Sequence, residues 1–336
     1  MRLSRRAALL GLGAAAAGAG GPAAAQVRDN LVRQVTVTTR PLASFEPRKP
    51  ERTRFGELVF RSGMVLRCDH PRFGGFSSLW RSPNGRDFVA LADIAYWLTG
   101  RLRSEKGRLT GIDDAVLAPA LDANGRPMRW SRYYDTESLA MADGYAYVGL
   151  ERVNAVMRFP FGRDGVLARG QLLPVPSEVK SLPNNRGLEA IGIVPDGMPL
   201  AGSLVAVAER SGGDDEPTLG FILSGRQQGT FKVRRHDDYD ITDLAFLPGG
   251  DMLLLERWYS PFRGVGMRIR RIRGSDIRPG ALLDGAYLIE ADLGQEIDNM
   301  EGLSVHQEQG RTILTVISDD NFSFLQRTVL LEFELA

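Results

Sequence analysis

Thr136-Glu137-Ser138-Leu139-Ala140-Met141-Ala142-Asp143-Gly144-Tyr145-Ala146-Tyr147-Val148-Gly149-Leu150-Glu151-Arg152 is two apolar runs joined by Asp-Gly, with one acid near the start and another at the end. Asp-Gly between apolar runs marks a tight β-hairpin, because both central positions of such a turn need left-handed backbone. The pattern recurs. Leu188-Glu189-Ala190-Ile191-Gly192, Thr242-Asp243-Leu244-Ala245-Phe246 and Met300-Glu301-Gly302-Leu303-Ser304 open further hairpins, the acids standing 52, 54 and 58 residues apart. The second runs close on Glu209-Arg210, Glu256-Arg257 and Asp319-Asp320. A weaker copy lies upstream, with Gly74 where the acid is expected, Asn84-Gly85 at the turn and Asp93 at the close.

Third strands such as Ala155 to Phe159, Met267 to Ile272 and Thr328 to Phe333 bring each unit to three or four strands. Units of about 50 residues, each a short antiparallel sheet unable to bury both faces alone, predict an all-β fold, a β-propeller. Five units are visible, and the pieces Val35 to Thr39 and Glu57 to Phe60, with Leu330 to Leu335, extend the expectation to six blades, with five as the alternative. A β-sandwich gives no reason for acids to recur with the hairpins.

The whole chain has 336 residues, 42 Lys+Arg against 41 Asp+Glu and a formal net charge of +1. That balance excludes the strong basic footprint of a nucleic-acid binder. Residues 1–25 read as a leader: Arg2, Arg5 and Arg6, then a mildly apolar Ala/Gly stretch ending Ala23-Ala24-Ala25. Its composition is too weakly hydrophobic for a stable membrane span and fits a cleaved export signal. The twin arginines are similar to a Tat signal, which makes the Tat translocase a transient partner and the periplasm or exterior the destination. Residues 26–336 then form a single propeller domain. Its one cysteine, Cys68, excludes an internal disulfide.

Antiparallel pairing brings the opening and closing acids of each hairpin to one edge. Placed radially, Glu137, Glu151, Glu189, Glu209, Asp243, Glu256, Glu301 and Asp319 or Asp320 then face one channel mouth. Like charges that close must be compensated by protons, cations or arginines. Oxygen-only ligands without Cys or His favour Ca²⁺ or a similar hard divalent cation over zinc. The metal-ligand candidates are Glu137, Glu189, Asp243, Glu301, Asp319 and Asp320, with Glu151, Glu209 or Glu256 as the base. Arg152, Arg210 and Arg257 would clamp a phosphate, since the guanidinium fork matches phosphate oxygens. The competing reading is architectural, with the Glu-Arg dipeptides as salt bridges repeated by duplication.

Other chemistry is weakly represented. His70, His236 and His306 lack metal-ligand spacing and read as surface or loop residues. No Gly-x-Ser-x-Gly elbow supports a serine esterase. Cys68 reads as a buried or incidental thiol, Asp214-Asp215-Glu216 as a solvated loop, and Trp80, Trp97, Trp130 and Trp258 as core.

Asn299-Met300-Glu301-Gly302-Leu303, Ser318-Asp319-Asp320-Asn321-Phe322, Ile241-Thr242-Asp243-Leu244 with Leu255-Glu256-Arg257, and Asn185-Arg186-Gly187-Leu188-Glu189 resemble the phytase-like family, described as "esterase-like activity of phytase". The resemblance implies phosphoester hydrolysis of a small-molecule substrate, with the acids of the repeats functional. The chain lacks the Arg-His-Gly signature of histidine phosphatases. Two further expectations stand beside it: a non-catalytic ligand- or partner-binding propeller, and a calcium-dependent carboxylic-ester or lactone hydrolase.

Overall fold

The computed structural model describes residues 32–183, 186–213, 216–260 and 264–336. The leader, Asn185 of the family motif and the acidic pair Asp214-Asp215 lie outside these residues. The chain begins with β1 (Arg33–Gln34), β2 (Thr38–Pro41), β3 (Arg54–Phe55) and β4 (Leu58–Arg67). Next come β5 (Phe76–Arg81), β6 (Asp87–Ala92), β7 (Tyr96–Glu105) and β8 (Arg108–Pro119). The hairpin that opened the sequence reading is β9 (Thr136–Ala142) and β10 (Tyr145–Leu150), followed by β11 (Ala155–Phe159) and β12 (Gln171–Leu173). A third group is β13 (Leu188–Ile193), β14 (Leu204–Ala208), β15 (Thr218–Ile222) and β16 (Gly229–Val233). β17 (Asp240–Phe246), β18 (Met252–Ser260) and β19 (Gly264–Ile272) precede β20 (Leu282–Leu283) and β21 (Ala286–Asp292). The chain ends in β22 (Asn299–Glu308), β23 (Arg311–Asp319) and β24 (Thr328–Leu335).

These strands make five sheets, one per blade, and the first strands β5, β9, β13, β17 and β22 neighbour one another in a closed ring. The protein is a five-bladed β-propeller. Alternation explains the packing: each blade offers an apolar face to either neighbour, so the core divides into five layers between successive blades. Between the first and second blades, for example, the fully buried Trp97 meets Phe159 and Phe161 edge-on at 5.3 and 5.2 Å. Burying each large apolar side chain contributes about 1.5–3 kcal/mol, and here every layer needs both of its blades.

The expectation of six blades is corrected to five. The upstream strands build no blade of their own: β4 pairs with β24 over most of its length, and the sheet order is β2-β4-β24-β23-β22. The two ends of the described chain therefore interleave in the fifth blade and close the ring. β1 instead extends the first blade on β8.

Candidate active site at the channel mouth

Every first strand carries one extra residue at the same place. Pairing skips Ser77 in β5, Glu137 in β9, Glu189 in β13, Thr242 in β17 and Glu301 in β22. A β-bulge of this kind leaves its residue out of the ladder and re-aims its side chain. Across each hairpin, the residue just past the bulged pair is Asp93, Glu151, Glu209, Arg257 or Asp319. The sequence repeat is thus a repeat of bulges, and its register in two blades differs from the expected one. In the first blade Ser77, not Gly74, takes the bulge position. In the fourth, Thr242 replaces the glutamate and Arg257 replaces the closing acid.

The acids converge over the second and third blades. Asp135, Glu137 and Glu151 each offer an oxygen, and these lie within 4.8 Å of one another. A second triad, Glu151, Glu189 and Glu209, meets the same limit, so Glu151 belongs to both. Calcium–oxygen bonds of about 2.4 Å put two ligands of one ion at most about 4.8 Å apart, which both triads satisfy. Glu137 and Glu151 are buried, at 0% and 2% exposure. The donor set fits a hard divalent cation, and among the described residues no nitrogen or sulfur ligand joins either triad.

Arg257 balances the opposite side of the mouth. Its Nη2 lies 3.0 Å from Glu301 Oε1, and Asn299 Nδ2 donates to the same oxygen at 2.9 Å. Burial disfavours the Arg257 charge, but Glu301, Glu209, Glu189 and Asp240 outweigh it and raise its pKa above the ordinary arginine value. Its buried Nε has no hydrogen-bond partner among the described residues. Asp240 in turn holds two arginines on Oδ1, Arg210 Nη2 at 2.6 Å and Arg235 Nη2 at 3.0 Å.

The structure therefore separates the sequence candidates. Glu137, Glu151, Glu189 and Glu209 come together as expected, with Glu301 and Arg257 beside them. Asp243 does not join them. One residue past the bulge, it is fully buried, and its carboxylate accepts from Leu244 N at 2.8 Å and Leu303 N at 2.7 Å. Burial pushes its pKa well above the ordinary value. Glu256 points away from Arg257 because neighbouring strand residues face opposite ways. Its two oxygens hold Arg268 and Arg270 of β19, and Arg268 is sandwiched between the rings of Tyr239 and Tyr287 at 3.8 and 4.6 Å. Glu256 is an internal counter-ion, not a base at the mouth.

Asp319 holds the register position of a closing acid, accepting Asn321 N at 2.6 Å. Asp320 is absorbed by structure: it accepts Gly75 N and Phe322 N at 3.0 Å each and the Thr328 hydroxyl at 2.9 Å. A Cβ on Gly74 would collide with that carboxylate, so the glycine is there for Asp320 and not in place of an acid. Arg152 leaves the mouth and lies on the ring and hydroxyl of Tyr134, while Arg210 is spent on Asp240. His306 is also corrected: it is 5% exposed within β22, not a surface residue. Trp97 is core, whereas Trp130 is 51% exposed.

Asp135, Asp240 and Asn299 are the site residues the sequence reading missed. They stand two positions before the bulge, aligned with Gly75 and Gly187, and the column was legible as turn-forming residues ahead of each hairpin. Asp135 adopts φ 74°, a conformation Asp tolerates better than most residues. No helix among the described residues is long and apolar enough to cross a membrane.

Comparison with curated proteins gave no match. Solved structures are similar at low identity and low TM-score. The PQQ-bound aldose sugar dehydrogenase of Streptomyces coelicolor shares 12% identity at a TM-score of 0.42, covering 81% of this chain and 97% of its own. A putative gluconolactonase shares 12% at 0.39, covering 93% and 97%. Myxococcus xanthus glutaminyl cyclase shares 12% at 0.38, covering 78% and 92%. The sequence model of the family "Phytase-like: Esterase-like activity of phytase" matches residues 71–322, which takes in all five bulged strands and most of the chain, and the protein belongs to that family.

Proposed function

We propose that the protein is a hydrolase of a small-molecule phosphoester, working at the acidic mouth with a divalent cation, calcium being the best fit. The observation that carries this reading is Glu151, one buried carboxylate shared by two triads of oxygen ligands. Asp135, Glu137, Glu151 and Glu189 would hold the ion. When bound, such an ion polarises a phosphoryl oxygen and lowers the pKa of water.

The chain's own groups supply the rest. Glu209 is the base, because it is the more open member of its triad and lies within the field of Arg257. Arg257 binds substrate with the exposed part of its guanidinium, 18% of the side chain being accessible and its Nη2 fixed by Glu301. A guanidinium held this way meets a phosphoryl oxygen without losing much side-chain freedom on binding. The buried carboxylates repel an anionic substrate unless a cation is present, which makes turnover metal-dependent. Residues 1–25, read as an export signal, would carry this activity to the periplasm or outside the cell, where calcium is accessible.

The test combines a hydrolysis panel (phosphomonoester, phosphodiester, phytate, carboxylic ester, lactone) with calcium titration of thermal stability. Calcium should raise the melting temperature of the wild type and not of Glu151→Gln. Glu209→Gln should keep that rise while losing about 100-fold or more in kcat. Turnover of carboxylic esters or lactones alone would replace the phosphoester assignment. No turnover by a folded, calcium-binding protein would leave a binding propeller.

A further inference from the structure

On the face opposite the acidic mouth, a cleft of about 480 Å³ opens between the first and fifth blades, along the seam where the ring closes. Arg61, Arg81, Arg86, Arg101 and Arg103 line it, and His306 forms part of its wall. We propose that this cleft binds a phosphate group, free or as a phosphomonoester. The inference is independent of the reading of the mouth.

The charges are unequal. The lining carboxylates are each taken: Glu332 by Arg81, Glu308 by Arg61, and Asp113 by Arg103 at 2.7 Å. Arg101 pairs with Asp114 at the rim. Arg86 is left with no carboxylate partner among the described residues, so the cleft carries a surplus positive charge. A guanidinium has five N–H donors, and Arg61, Arg101 and Arg103 each commit one nitrogen to their acid. The remaining donors converge from β4, β7 and the turn after β5, an arrangement suited to an oxyanion with several acceptors.

His306 closes one side of the cleft. His306 is 5% exposed, yet its Nδ1 has no hydrogen-bond partner. That atom is shut off from solvent, so the ring contributes shape to the wall and the arginines contribute the donors. Gly85 lies against the imidazole so closely that a Cβ there would collide with it, which keeps the ring at the wall of the cleft. Arg81, by contrast, is consumed by Glu332, Thr315 and the Gly85 carbonyl, and serves as the floor.

The experiment is calorimetric titration of the full protein with inorganic phosphate and with glycerol 3-phosphate, ionic strength held constant with chloride. The wild type should bind both, and Arg86→Glu should weaken binding about tenfold or more, the loss of one charge-assisted contact. Arg86→Gln is the second variant should the charge reversal disturb folding, and it should weaken binding in the same direction. Glu151→Gln should bind phosphate as the wild type does, which separates this cleft from the mouth. Absence of phosphate binding, wild-type affinity in both Arg86 variants, or loss on Glu151→Gln alone would overturn the proposal.

Discussion

Single residues in this propeller do opposite work depending on one step of register. Glu256 and Arg257 are neighbours, yet the first is buried against two arginines and the second faces four acids across the mouth. His306 shows how strongly the seam controls a titratable group. Burial, with help from Arg81 and Arg61, lowers its pKa from 6.5 to about 3. Glu308 and Glu332 line the same cleft but are neutralised by those arginines. A folded pKa below the unfolded one favours the neutral ring, so this contribution to stability is complete above about pH 6.5 and is lost as pH falls towards 3. Urea unfolding of wild type against His306→Gln should show the wild type losing up to about 1.4 kcal/mol per pH unit more than the variant between pH 6 and 4. Parallel pH profiles would show that the ring is protonated in the fold.

At the scale of the element, the bulge is what makes a strand into a site. A regular strand would send the bulge residue and its neighbours alternately to the two blade faces, where an unpaired glutamate is costly. The extra residue turns Glu137, Glu189 and Glu301 out of the ladder and leaves the next position to lock the blades. Asp243 is such a lock, since its carboxylate joins β17 to β22 through Leu303 N. Asp243→Asn keeps one acceptor oxygen for two N–H donors, and should cost about 1–3 kcal/mol of unfolding free energy. Calcium affinity should be unchanged, because Asp243 is not among the clustered ligands. A fall in calcium affinity at full stability would return Asp243 to the metal site.

The whole molecule is closed by β24, which lies between β23 and the upstream strand β4. Each of the five core layers needs both of its blades, so an open fifth blade exposes the layers on either side of it. A chain ending at Arg327 should lose its cooperative denaturant transition, measured by near-ultraviolet circular dichroism. Unfolding at the full-length midpoint would mean that β4 alone suffices for closure. The same closure creates the arginine-lined cleft and sets it across the molecule from the acids, so the two sites differ in charge although both lie at blade junctions.

The amino-acid sequence by itself determined the propeller, the hairpin at each repeat and the acids at its edges, because period-two alternation, Asp-Gly turns and recurrence at about 50 residues are local properties of the chain. Glu137, Glu151, Glu189, Glu209 and Glu301 were legible for that reason. Only the tertiary structure decided the blade count, since whether residues upstream of Cys68 make a sixth sheet or complete the fifth depends on pairing with β24, far away in the chain. It also decided the roles of Asp243, Glu256 and Arg257. A bulge shifts the facing of every residue beyond it by one, and repeat spacing of 52 to 58 residues is too loose to place that single step.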